Sequence, residues 1–264
     1  WKAGKIKLQD DSVVDLNLDI AWAIVSGRLE NYKGICKDLI TEAGTLLHNK
    51  FDVVRSTDQA IDLYNVLANF EEWEGRPEGA IENYDKALQI PGIQQVGLSN
   101  LLVNKGIALR QIKELKEGVI FGAQGVEIKT AIGDADQLPI AQHNLAQTYI
   151  ELAFFTQIIP DKIAHFSSAL KHAQDGLNIQ AQTGSVKKRG QLLTEKFIAK
   201  FELNKLGITT PKTALQQDLK SAQNWLKAEL DAGRGNSYDC RVVVKELLSC
   251  LVEFEGTMIE GTRS

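Results

Sequence analysis

Apolar residues recur three and four positions apart along most of the chain, the spacing that lines one face of an α-helix. From Asp62 to Trp73 this spacing puts Leu63, Leu67 and Phe70 on one stripe with Tyr64 beside it. From Glu78 to Ile90 it does the same for Ala80, Ile81, Tyr84, Ala87 and Leu88. Two amphipathic helices are expected there. The link between them, Glu74-Gly75-Arg76-Pro77, sets a glycine suited to a helix C-terminus before a proline suited to the next first turn. All five prolines, Pro77, Pro91, Pro139, Pro160 and Pro211, stand where a helix would start or stop. No convincing alternating strand pattern occurs, and the β-branched run Val242 to Val244 continues through Lys245 to Phe254 with helical spacing. Further pairs are expected. Asp15 to Arg28 pairs with Tyr32 to His48, with Trp22, Ile24, Leu39 and Leu46 in the core; 186–206 pairs with 212–231 through Gly207 and Pro211; and 238–255 makes a final helix.

The helical pairs repeat. The stretch YNVLANFEEWEGRPEGAIENYDKALQIP from Tyr64 carries an aromatic residue, a Leu-Ala pair, a turn glycine, then Ala80, Tyr84, Ala87 and a closing Pro91. A second copy, LLVNKGIALRQIKELKEGVIFGAQGVEI, has Gly106 in place of Ala68, and Gly118 and Gly125 in place of Ala80 and Ala87. A third begins at Pro139, with Leu145, Ala146 and Tyr149 in its first helix and Ala169, Gly176 and Leu177 in a delayed second one. Ala68, Gly106 and Ala146 are spaced by 38 and 40 residues. This pattern resembles the tetratricopeptide (TPR) repeat, whose basic unit is about 34 residues. The longer period implies extended helices or connections, with an insertion around Phe154 to Pro160. The resemblance covers residues 61–180 and implies an all-α fold, a right-handed superhelical stack of antiparallel helical hairpins, the TPR-like α-solenoid. Residues 1–60 then form an N-terminal helical pair, 61–180 three repeats, and 181–264 helices that complete or cap the array. The phrases LQIPG and LLVNKGIALRQ are similar to variant arrays in large bacterial signalling and defence proteins.

In this family the first helices of successive repeats line a concave groove, where asparagines often grip the backbone of an extended peptide. The resemblance marks Asn69, Asn104, Arg110, His143, Asn144 and Gln147 as the groove residues of the three copies, with Asn104 and Asn144 at matching places. The lysines with which some members clamp a terminal carboxylate are missing, Val103 standing where one would be, so a receptor for chaperone tails is disfavoured. Asparagine in a helix has a second use, bridging neighbouring helices by hydrogen bonds. Both readings remain open from the sequence.

Composition narrows the classes. Hydrophobic residues at 44% and charged residues at 24% suit a folded chain. A net charge of -4 gives no field for a phosphate backbone, so nucleic acid is not expected as a partner. No apolar run reaches the roughly 18 residues of a membrane-spanning helix. Cys36, Cys240 and Cys250 are scattered and odd in number, which suggests neither disulfides nor zinc but reduced, buried thiols of a cytoplasmic protein. The chain begins at Trp1 without a methionine or a secretory pattern, which points to a piece of a longer polypeptide.

No catalytic constellation emerges. There is no phosphate-binding loop of the nucleotide hydrolases, and Gly122 and Gly125 read as small residues on a packed helix. His165 and His172 are seven apart without the carboxylate and spacing of a zinc site, and read as a polar flank of the insertion. Glu71, Glu72 and Glu74 read as a solvated helix end, and Lys187-Lys188-Arg189 as a solvated helix start. No metal, cofactor or catalytic residue is expected. The sequence thus favours a non-catalytic scaffold for a protein or peptide partner. The alternative is the sensor or regulatory arm of a larger bacterial enzyme, a nucleotide-hydrolysing switch or a protease partner, joined covalently or otherwise to an effector domain.

Overall fold

The computed structural model describes residues 10–49, 55–235 and 237–260, and those residues form eleven α-helices with one short 3-10 turn and no strand. The helices are α1 (Asp10–Gly27), α2 (Lys33–Asn49), α3 (Arg55–Trp73), α4 (Pro77–Leu88), α5 (Gln95–Gln111), α6 (Leu115–Ala131), α7 (Leu138–Phe155), α8 (Ile159–Thr183), α9 (Arg189–Lys205), α10 (Lys212–Asp231) and α11 (Tyr238–Glu260). Pro77, Pro139 and Pro160 each sit in the first turn of a helix, where the missing amide costs nothing. Gly75 takes the left-handed conformation with φ 75° that a side chain resists, and this ends α3.

Packing divides the chain into two compact units, residues 1–128 and 129–264. In the first, α1 pairs with α2, α3 with α4, and α5 with α6; α1 and α5 both touch α3. Its core is built of several clusters, one of them Val14, Leu18 and Ala43. Ala21, Ile24, Val25, Cys36, Ile40, Val66, Phe70 and Trp73 fill another, and Ile61, Ala68, Ala80, Tyr84, Ala87, Leu101 and Ala108 fill the next. In the second unit Phe166, Phe197, Phe201, Leu215 and Val243 bring α8 to α11 onto one core with Ile150 of α7.

The helix crossings are made by the small residues that define the repeat. Ala68 and Ala80 are fully buried. A methyl group added at Gly106 of α5 would lie 2.9 Å from the carbonyl oxygen of Gly118 and 3.1 Å from the amide nitrogen of Gly122, so α5 and α6 meet backbone to backbone. Gly125 is as tight, 3.0 Å from the Ser99 carbonyl by the same measure. Trp22 differs from expectation. The buried stripe of α1 runs through Val14, Leu18, Ala21 and Val25, and Trp22, one position off it, is 41% exposed.

Gly106→Ala should lower stability by about 1–3 kcal/mol, because rigid backbone leaves no room for the methyl group. Gly34→Ala in α2, where the added carbon meets nothing within 4 Å, should raise it by about 0.4–1 kcal/mol. Chemical denaturation of both variants checks the pair; equal effects would place Gly106 away from a crossing.

Candidate functional site

In the first unit the first helices of the three hairpins, α1, α3 and α5, are neighbours. Helix α3 buries Ile61, Val66, Ala68, Phe70 and Trp73. The side away from Leu63 and Leu67 carries Asp58, Asp62, Asn65, Asn69 and Glu72, whose spacing keeps them on one stripe between the buried Ile61 and Ala68 and the buried Val66 and Trp73. At one edge the stripe meets α1. Partial desolvation, and then the like charges of Asp58, Asp15 and Asp19, push the Asp62 carboxyl above the usual range although the residue stays exposed, and Gln59 donates to Asp15 across 2.7 Å. At the other edge it meets α5. Asn104 Nδ2 points at Asn65 Oδ1 from 3.5 Å, and Gln111 donates to Glu72 Oε2 at 2.9 Å. Asn69 turns along its own helix and donates to the Asn65 carbonyl at 2.7 Å.

Glu72 is a hub rather than part of a solvated helix end, which corrects the expectation from its charge cluster. The Tyr84 hydroxyl of α4 donates to Glu72 Oε1 at 2.8 Å. Burial raises the Glu72 pKa, opposed by the bonds from Tyr84 and Gln111 and by the charges of Arg28 and Arg110. Arg110 therefore lies close enough to act on Glu72 by its charge.

In the second unit His143 of α7 is buried, with Nδ1 2.6 Å from Glu195 Oε1 of α9. It therefore faces a helix interface, and not a groove as its place in the repeat implied; the buried carboxylate holds it there. Asn144 and Gln147 are half-buried. His172 of α8 lies 2.7 Å from Gln142 Oε1 and stacks on Tyr149 with centroids 5.6 Å apart, so it ties α8 to α7 instead of flanking an insertion. Burial, helped by Lys171 and opposed by Asp175, depresses its pKa to about 4. The basic run is ion-paired, Lys187 with Asp136 at 2.6 Å and Lys188 with Asp239 at 2.7 Å. Cys36 and Cys240 are buried, and burial pushes the Cys36 thiol up to about 11, where it is unreactive. Among the described residues no cluster of His, Cys, Asp or Glu could hold a metal ion, and no helix is long and apolar enough to cross a membrane.

No protein-family model matches the sequence, and no curated protein is similar to it. Solved structures are similar in fold. Two are of the nearly identical TPR-like repeats of a Podosopora anserina protein classed as a kinesin light chain, with TM-scores of 0.60 and 0.58 at 14% and 13% identity. They cover 86% and 87% of this chain and 99% of their own. A third is a signal transduction ATPase with numerous domains (STAND) from Pyrococcus horikoshii, with a tetratricopeptide repeat sensor. Its TM-score is 0.63 at 12% identity, covering 99% of this chain and 39% of that one. The fold is a TPR-like helical repeat.

The TPR-like assignment accounts for the side-by-side first helices, and it separates two kinds of polar residue. His143, Gln142 and His172 serve the helix interfaces of the second unit. Asn69, Asn104 and Arg110 lie with Asn65 and Glu72 on or beside the first-helix face of the first unit. The alignment by small residues missed Asp58, Asp62, Asn65 and Glu72. The signal that finds them is their own spacing, opposite the apolar stripe of α3.

Acid should destabilise the protein in part through His172. Its folded-state pKa lies below the unfolded value, so stability falls as pH drops from about 6.5 toward about 4. His172→Phe should flatten the change in melting temperature over that window; an unchanged slope would contradict the assignment. Asp62 acts in the opposite sense. Its pKa is raised, so stability falls as pH rises through the carboxylate range. Asp62→Asn should therefore melt at or above the unmodified protein at neutral pH, and a clear drop would show that the charge is structurally required.

Proposed function

We propose that the chain is a non-catalytic scaffold that binds a protein or an extended peptide on the first-helix faces of its TPR-like repeats. The observation that carries this reading is the face of α1, α3 and α5 in the first unit. Its amides are aligned, yet the contact between Asn104 and Asn65, at 3.5 Å, is longer than the 2.7–3.2 Å of a good N–H···O bond. Side chains that contribute so little to helix bridging are placed for a partner's backbone. Asn69, Asn104 and Arg110 act in the first unit, and Asn144 and Gln147 provide the corresponding amides in the second. Buried thiols fit a cytoplasmic setting, and the negative net charge favours a protein partner over nucleic acid.

A second reading has its own support. Nearly the whole chain aligns with the STAND protein, which has a tetratricopeptide repeat sensor, over 39% of that protein's length. In that reading the chain is the sensor or regulatory arm of a larger signalling enzyme, and the same face receives the signal.

Selection of random decapeptides on the immobilised chain tests the binding reading. Asn69→Ala with Asn104→Ala should weaken the selected peptides by about tenfold, since each net hydrogen bond is worth about 0.5–1.5 kcal/mol. The melting temperature should change little. Full binding by the double variant would move the site elsewhere, and lost stability with intact binding would make the asparagines bridges.

A further inference from the structure

The face of the first unit is chemically uneven along its length. At the N-terminal end of α3, Asp58 and Asp62 are exposed, and Asp15 and Asp19 of α1 act on the same spot. Trp22 lies one turn beyond Asp19 on α1 and is 41% exposed. Two turns along α3 from Asp62 the charge gives way to the amides of Asn69, and beyond it Glu72 is already engaged by Tyr84 and Gln111. No other helix packs over the acidic stretch among the described residues, since Asp15, Asp19, Asp58 and Asp62 are all exposed.

We propose that this face docks a cationic segment of a partner protein, with Lys or Arg side chains against Asp15, Asp19, Asp58, Asp62 and Trp22 and the segment's backbone over Asn69 and Asn104. This rests on the peptide-binding reading above and specifies its partner. Carboxylates beside an exposed indole suit a guanidinium or ammonium group on both counts. The charges attract it, and the ring face takes the cation or its methylene stem. The like charges that crowd Asp62 are neutralised by an incoming cation and reinforced by an incoming anion, so acidic segments are rejected as basic ones are held. The spacing is fixed as well. Seven helical residues separate Asp62 from Asn69, about 10 Å at 1.5 Å per residue. An extended chain covers that distance in about three residues, so the cations lie about three residues from the gripped backbone.

Selected decapeptides decide it by composition. Peptides enriched in Lys or Arg, and bound about three- to tenfold more weakly by Asp58→Asn with Asp62→Asn, are the expected result. The double variant should keep its melting temperature, and raised salt should weaken the unmodified protein more than the variant. Glu78→Gln with Glu82→Gln removes the same charge from the exposed side of α4 and should leave affinity unchanged; an equal loss there would make the attraction non-specific and overturn the proposal. Neutral or acidic peptides whose binding is still lost in the Asn69→Ala, Asn104→Ala variant would also overturn it while the scaffold reading stands. No selected peptide at all would end both. A gain in peptide affinity on changing Lys2, Lys5 and Lys7 to Gln would give the face to the chain's own N-terminal segment instead.

Discussion

Two helix backbones can touch only where neither carries more than a methyl group at the crossing, and each hairpin is positioned by that constraint. In the first unit Gly106 meets the backbone of Gly118 and Gly122 at about the limit of contact, while Ala68 and Ala80 are fully buried at their own crossing. In the second, Ala169, Ala173 and Gly176 run along one side of α8, and a carbon added at Gly176 would sit 2.8 Å from Leu192 of α9 and 3.3 Å from Gln142 of α7. Glycine inside a helix costs about 1 kcal/mol against alanine; close packing offsets this. The result in the first unit is that α1, α3 and α5 lie next to one another, so that polar stripes on separate helices become one face.

That face has a different energetic status from the core. Ala68, Tyr84 and Leu101 hold α3, α4 and α5 together by burial, whereas Asn65, Asn69 and Asn104 make local or long contacts. At one end desolvation, and then the neighbouring acids, raise the Asp62 pKa, which opposes folding slightly. A protein keeps such a patch at little cost because the cores beneath are insensitive to it, and a ligand of opposite charge can then gain from it. The polar groups of the second unit contrast with this. His143 with Glu195, and Lys196 and Lys200 with Asp218, span helix pairs and belong to the packing.

The small residues and the three-four spacing made the helices, the hairpins and the repeat legible in the sequence, because a crossing restricts residue size directly. Helix ends were legible too where proline or glycine marks them, as at Gly75 and Pro77. What the sequence left hidden depends on register between helices. Asn65 stands three residues before Ala68 and Asn104 two before Gly106, so alignment by small residues does not pair them, although they face each other. The same limit applied to His143, whose partner Glu195 is 52 residues away, and to Glu72, which looked like one charge in an exposed run until Tyr84 and Gln111 closed on it. Trp22, expected in the core with Ile24, stands one position beside the buried stripe of α1, and that offset leaves it exposed.

The side-chain amide resonances of the asparagines give the most direct view of the proposed binding face. With a selected peptide added to the isotope-labelled chain, the amide signals of Asn69 and Asn104 should shift with peptide concentration. Asn83 of α4, buried and bonded to the Gly79 carbonyl at 2.8 Å, should stay still. Movement of Asn83 with Asn69 and Asn104 unchanged would put the partner on the opposite side of the hairpins and contradict the account.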